Sequence, residues 1–324
     1  MITSLPTERD YKSLANSCLV QAFDIIFETD KAIDSHPNKN MAEKVWDYSQ
    51  NKLNTAVVLI HQAIEAYMKA SVCVTSPFLL IEGKRTDWPV LSEDTNKNFD
   101  EFYTLGSESL LFTFFATATS DYHKGLKKHI EDIRKTRNQI VHGISKQKLN
   151  PKALLINVLD TFTFFMGQDA WWNEMRNFHL DHPLNEGMNY ESIETVVFVE
   201  RLDYTHKIVG TGNLNKHFSL DLKARKYHCP VCLPMDKNLL SRFDYKWSFL
   251  SPNTSESQLA TCVNCSTSID VIRTDCPLDG CPGNVLWEDY ICLTCGNDVA
   301  YELAEVKKKN IARVLQSLKL RLEP

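Results

Sequence analysis

Residues 41–72, MAEKVWDYSQNKLNTAVVLIHQAIEAYMKASV, decide the fold class. Leu53, Val57, Ile60, Ile64, Tyr67 and Met68 recur at three- and four-residue steps, which places them on one face of a helix. No Gly or Pro interrupts the stretch, so the spacing predicts one long helix from about Met41 to Val72. A single amphipathic helix cannot bury its own stripe, so its neighbours must supply partners. On the N-terminal side, residues 8 to about 33 carry Leu14, Cys18, Ala22, Ile25, Ile26 and Ile33 on one helical face, and Asp34-Ser-His-Pro-Asn ends the pattern. On the C-terminal side, residues 76–98 read as a connection containing Pro77 and Pro89. Helices are then expected from Phe99 to Thr117, from an N-cap at Ser120-Asp121 to Gly143, and from Pro151 to about Phe178. These five helices make an all-α, up-and-down bundle over residues 1–180.

The character of the sequence then changes. In residues 181–225, SIETVVFVERL and HKIVGTG are rich in β-branched residues and read as strands of a β-rich connector. Residues 301–324 read as a basic amphipathic helix with Val306, Val314, Leu318 and Leu322 on one side, expected to dock against the body of the protein.

Between these lie eight of the ten cysteines, in four short-spaced pairs: Cys229/Cys232, Cys262/Cys265, Cys276/Cys281 and Cys292/Cys295. A short knuckle offers two thiolates from one turn, and tetrahedral zinc takes four. Residues 226–300 are therefore read as a small β-rich double zinc-ribbon region. Sequential pairing joins the first two knuckles in one site and the last two in the other. Nested pairing, with Cys229 and Cys232 joining Cys292 and Cys295, is the alternative. With four cysteines per site, His217 and His228 are surplus and read as solvated. Neither site has an evident open position or a neighbouring base, so both zinc ions are read as structural. The start, MITSLPTERDYK, has no apolar signal core and carries acids early, which also argues against a disulfide framework. The densest apolar run, Ala56 to Ile60, is five residues long. The expectation is a cytoplasmic protein with no membrane partner.

The 324-residue chain carries a net charge of −5, which excludes a protein whose whole surface coats nucleic acid. Against that trend, the window Asp121–Lys152 is net +6, leaving the rest of the chain at −11. Within it Ile130, Ile133, Ile140 and Ile144 form a stripe in which position 137 should be apolar and is Arg137. A guanidinium there needs an acid, a phosphate or a partner surface. Asn138 and His142, four residues apart, share a face, and His142 sits at the carbonyl end of the helix, where a cation is favoured. An anion clamp, an amide and a titratable base thus lie within about one and a half turns. Taken singly, a half-buried Arg and a capping His are more often structural than catalytic. Trp171-Trp172 and Cys73 read as packing residues, whereas Tyr227 and Trp247 either stack on bases or pack the ribbon. No Walker-type glycine loop, GxSxG or HExxH occurs.

Arg137-Asn-Gln-Ile-Val-His142 resembles the R-x-x-x-x-H signature of the HEPN superfamily, and the IHQAIEAYMKA stretch of the long helix is similar to that family's second helix. The resemblance covers residues 8–178. It implies a helical bundle that forms homodimers with paired motifs, and a metal-independent endoribonuclease. Carried onto this chain, it implies that His142 is the general base or acid for 2′-OH attack, giving 2′,3′-cyclic phosphate and 5′-OH ends. Arg137 would stabilise the phosphate charge and Asn138 orient phosphate or His142, with His61 and Glu65 as supporting residues that could pair with Arg137, Glu65 reading equally well as a structural counter-ion. Lys124, Lys127, Lys128, Arg134 and Lys135 would hold the RNA backbone. By analogy, the setting is a defence or toxin-like system with an inhibitor or trigger protein, and the zinc ribbons recognise substrate or partner. The alternatives are an inactive HEPN-like adaptor that binds RNA or protein, and, ranked last because residues 226–300 hold few Lys/Arg, a zinc-ribbon DNA-binding regulator.

Overall fold

The computed structural model describes residues 1–35, 38, 41–89, 96–118, 125–143, 148–180, 191–233, 245–287 and 290–320. The chain divides into two units, Met1–His182 and Pro183–Pro324.

The first unit is built on α1 (Glu8–Ser35) and α2 (Ala42–Thr75), which pack along their lengths. All six residues of the α2 stripe are buried. On α1 the buried face is turned slightly from the expected one: Leu14 is exposed, while Ala15, Leu19, Phe23 and Phe27 enter the core beside Cys18, Ala22 and Ile26. The large rings set the rotation, because each removes more apolar area from water than Leu14 could. Phe23 meets Trp171 with ring centroids 6.1 Å apart. Residues Glu43–Thr75 are long and apolar enough to cross a membrane, with mean hydropathy 1.3 in the most apolar window. That window is 56% buried, and the helix packs against α1 and its later neighbours, which accounts for its apolar character.

Three further helices close the bundle on α2: α3 (Ser107–Thr117), α4 (Leu126–His142) and α5 (Pro151–Met166). The expected helix from Phe99 is only a 3₁₀ turn, Phe99–Glu101, before α3 begins at Ser107. Ser120 and Asp121, expected to cap α4, lie outside the described residues, and Gly125 precedes its first turn. The expected helix from Pro151 to Phe178 is two helices, because Gly167 at φ 91° ends α5 and α6 (Ala170–Leu180) starts anew. Asn150 caps α5 by accepting from Lys152 N and Ala153 N, with Pro151 at the first position. Trp171 and Trp172 of α6 are core residues. Tyr67 Oη donates to Asn16 Oδ1 (2.5 Å), and Asn16 Nδ2 donates to Glu174 Oε2 (2.6 Å), tying α2, α1 and α6 together. Two short parallel strands, β1 (Ile2–Thr3) and β2 (Lys97–Asn98), fix the N-terminus.

The second unit corrects the connector. SIETVVFVERL and the residues after it form a helix, α7 (Glu191–Val209), not strands. Phe198, Val199, Leu202, Thr205 and Val209 are buried at helical spacing, so packing outweighs the β-propensity of the run 195–199. Gly210, at φ 81°, ends it before a short helix, α8 (Thr211–Leu214). The strands lie later in the chain. β3 (Ser248–Leu250), β4 (Leu259–Cys262), β5 (Ser268–Ile272) and β6 (Leu286–Trp287) form one antiparallel sheet in chain order. Ile269 and Val271 alternate inward onto Tyr227, Leu250, Ala260, Val285 and Leu293. The last helix, α9 (Ala300–Leu320), docks through Leu303 beside Leu286 and Val299, while Val306 and Ile311 are exposed. Docking is thus seen in its first turn. The side chains of Val314 and Leu318, and the whole of Leu322, lie outside the described residues. The chain is therefore a helical bundle followed by a small antiparallel sheet and a C-terminal helix.

Candidate functional site

One face of α4 is committed to the core and the other to solvent. Leu126, Ile130 and Ile133 are buried, and the stripe continues through half-buried Arg137 and Ile140. The opposite face lines an open groove of about 460 Å³ with Glu131, Arg134, Lys135, Asn138, Gln139, His142 and Gly143. Three- and four-residue steps bring these groups into one row. Asn138 and His142 share one face, as their spacing implies; both are exposed in this groove, and His142 is the last helical residue. Arg137 lies at the groove's flank, where its Nη1 donates to Asn138 Oδ1 at 2.9 Å. The structure thus brings Arg137 to Asn138 and Asn138 to the His142 face.

His61 and Glu65 sit on the facing part of α2. Glu65 accepts from Ser107 Oγ at the start of α3 and lies 3.9 Å from His61 Nδ1. Glu65 is thus engaged by Ser107 and His61, and Arg137 by Asn138, so the expected pairing of Arg137 with Glu65 is not the bond formed. Burial lowers the pKa of His61; Glu65 opposes the shift, and the nearby Arg137 and Arg134 guanidinium groups add to it. His61 is therefore a neutral, buried partner behind α4. Ser107 had no local signal in the sequence, because it meets Glu65 only through tertiary packing. Gln139, one turn beyond Lys135, belongs to the same row and could have been read from the period.

Lys127, Lys128 and Lys135 are exposed along α4, and Arg134 is half-buried; Lys124 lies outside the described residues. Lys148 pairs with Asp47 at 2.8 Å, and that hydrogen bond, with the carboxylate charge, raises its pKa. The Cys73 thiol is pushed up to about 11, chiefly by burial, which leaves it a protonated packing residue at neutral pH.

The cysteines resolve the pairing. Cys229, Cys232, Cys262 and Cys265 form one cluster, and Cys276, Cys281, Cys292 and Cys295 another, with all sulfurs of a cluster within 4.8 Å of one another. The nested alternative is excluded. A Zn–S bond of about 2.3 Å in a tetrahedron sets sulfurs about 3.8 Å apart. Cys229 and Cys265 stand 3.6 Å apart, and Cys281 and Cys292 3.9 Å. Knuckle amides support the sulfurs: backbone N–H groups of Cys295 and Thr294 point to Cys292, and that of Asn297 to Cys295. In the first cluster, the thiols of Cys232 and Cys262 are pushed up by hydrogen bonding to Cys229, while Cys265 is held low by hydrogen bonding from its neighbours, Cys229 first. Four crowded sulfurs ionise together only around a cation, and the donor set suits two structural zinc ions.

His217 and His228 are not ligands, nor are they solvated as expected. Both are buried, His228 with its ring 5.1 Å from that of Tyr245. Tyr227 and Trp247 are buried as well, so they pack the ribbon and cannot stack on bases.

The chain matches no protein-family model, no curated protein and no solved structure. A helical bundle followed by a small β region with two four-cysteine clusters is compatible with a HEPN-like bundle joined to zinc ribbons.

Proposed function

We propose that the protein is a metal-independent endoribonuclease, with its chemistry on the solvent face of α4 and its zinc ions purely structural. The observation that carries the reading is the row of Arg134, Lys135, Asn138 and His142 along one open groove, flanked by Arg137 on Asn138. Cationic groups at the groove suit a phosphodiester, and a titratable imidazole beside them suits proton transfer. In the proposed reaction the ribose 2′-oxygen attacks the adjacent phosphorus and its proton passes to His142. The 5′-oxygen leaves and takes up a proton, giving a 2′,3′-cyclic phosphate and a 5′-OH. Arg137 stabilises the charge that grows on the non-bridging oxygens, and Asn138 fixes the guanidinium. His61, Glu65 and Ser107 support α4 from behind. Lys127 and Lys128 extend the phosphate track along the helix. The reading includes a homodimer that pairs two α4 faces, a cytoplasmic setting, no membrane role, and a defence or toxin-like system with an inhibitor or trigger protein.

One observation favours a second reading. Arg137 is engaged within its own helix and stands beside the groove rather than in it, as an inactive RNA- or protein-binding adaptor would allow. Brief incubation of zinc-loaded protein with total RNA in EDTA separates the two. The nuclease reading expects cleavage with 5′-OH ends by the wild type, and losses of about 10²–10⁴-fold in Arg137→Ala and His142→Ala. Binding without cleavage, unchanged by His142→Ala, would establish the adaptor.

A further inference from the structure

Among the described residues between 221 and 300, five Lys/Arg stand against six Asp/Glu, yet four of the five come from two adjoining segments, 223–226 and 246. Tyr227 N donates to Ser248 O (2.8 Å) and Ser248 N to Tyr227 O (3.2 Å), which lays the two segments side by side. His228 N donates to Leu293 O at 2.7 Å, drawing in the last cysteine knuckle. Two cations meet on that knuckle: Arg225 Nη2 donates to Thr294 Oγ1 and Lys246 Nζ to Thr294 O, each at 3.3 Å. The Arg225 guanidinium lies 5.5 Å from the centre of the Tyr227 ring, and the Lys226 ammonium 3.9 Å from that of Trp247. The buried rings and the knuckle hold three cationic heads in place, which lowers the ordering cost of gripping an anion.

Two chemistries explain such a cluster. A Zn²⁺ with four thiolates carries a net charge of about −2 and attracts cations to its rim. Alternatively, the cations grip an external polyanion. Rim balancing accounts for the contacts on Thr294, but not for the exposure of Arg225, whose guanidinium stays open to solvent beside the Tyr227 ring. We propose that Arg225, Lys226 and Lys246 form an RNA-backbone site on the second unit, separate from α4; this rests on the nuclease reading. The rings beneath them are covered, so the site grips phosphates without reading bases and binds irrespective of sequence. Two attachment sites on one chain raise the effective concentration of substrate at each.

The test uses full-length, zinc-loaded protein in a His142→Ala background and fluorescently labelled 20-nucleotide oligo-U and oligo-A strands. Arg225→Gln, Lys226→Gln and Lys246→Gln are introduced together, with Arg273→Gln as the control. The triple variant is expected to bind both strands at least tenfold more weakly in 100 mM salt while retaining two zinc ions per chain. Its plot of log affinity against log salt is expected to be shallower by about 2, from roughly 0.7 per phosphate contact over three contacts. The control is expected to match its parent. Unchanged affinity, or loss of zinc without loss of affinity, overturns the site and leaves the cations as balance for the metal. If the triple variant loses zinc and affinity together, Arg225→Gln alone carries the test, with weaker binding at full zinc content expected and unchanged binding overturning the site. Cleavage by the chain with native His142 is measured in parallel. Intact cleavage with unchanged affinity removes this site alone, whereas absent cleavage with the expected loss of affinity removes the nuclease reading alone.

Discussion

His129 on α4 makes the helix that carries the candidate site sensitive to acid. Its Nε2 lies 2.8 Å from Thr161 Oγ1 of α5, and its ring packs 5.2 Å from that of Phe164. Thr161 Oγ1 already donates to Asn157 O at 2.7 Å, so the imidazole must be the donor between the two, with its proton on Nε2. Burial, with Asp132 opposing it, pushes the pKa of His129 down to about 4 from 6.5. The unfolded chain therefore takes up a proton as pH falls through 6.5, whereas the folded chain resists until about 4. Folding stability falls across that window. Linkage gives a loss of about 2 kcal/mol between pH 7 and pH 5, rising to about 3 kcal/mol by pH 4. His129→Gln keeps an N–H donor for Thr161 and does not titrate. Urea unfolding followed by tryptophan fluorescence, with Trp171 and Trp172 in the core of the same unit, compares the two proteins at pH 7 and pH 5. The wild type is expected to lose about 2 kcal/mol more than the variant. Equal losses, within about 0.5 kcal/mol, would show that His129 is not held neutral between α4 and α5, and the reasoning would fail.

Other consequences follow from packing and metal chemistry. Phe23→Ala, at a fully buried ring, is expected to cost about 3–5 kcal/mol in urea unfolding, while Tyr48→Ser at an exposed position changes stability by less than about 0.5 kcal/mol. Elemental analysis is expected to find two zinc ions per chain and one in Cys262→Ala; an unchanged count in the variant would remove the first site. Gly283→Ala would place a Cβ 2.8 Å from both Cys292 Sγ and Thr294 Cβ, so chelator competition is expected to strip the second site first, with the first site unaffected.

What was legible in the sequence was whatever local spacing determines. The six-residue stripe of α2 reads directly because an unbroken period fixes the face. The four cysteine pairs read as metal knuckles because two ligands from one turn leave little geometric choice. Asn138 and His142 share a face for the same reason. What was missed depends on distant partners. The 195–199 run has strand propensity, yet Phe198, Leu202 and Val209 find a core at helical spacing. The break at Gly167 had a local signal, a glycine followed by Gln168 and Asp169, but the apolar runs that flank this short polar step read as one helix. Ser107 meets Glu65 through packing that no local period encodes, whereas Arg137 turns to its own sequence neighbour Asn138, a side-chain choice that helical spacing does not fix. The burial of His217, His228, Tyr227 and Trp247 follows from how the ribbon closes. The knuckle pairing was left open by spacing alone, and the placement of the sulfurs decides it.

The central claim is that the α4 face cleaves RNA by attack of a 2′-hydroxyl. It is tested most directly with an RNA oligonucleotide and a copy carrying a single 2′-deoxy nucleotide on the 5′ side of the bond that is cut, both incubated briefly with zinc-loaded protein in EDTA. The account predicts that the all-ribose strand is cut to a 2′,3′-cyclic phosphate and a 5′-OH, and that the substituted strand stays intact at that bond. Equal cutting of both strands, or cutting of neither, would contradict it.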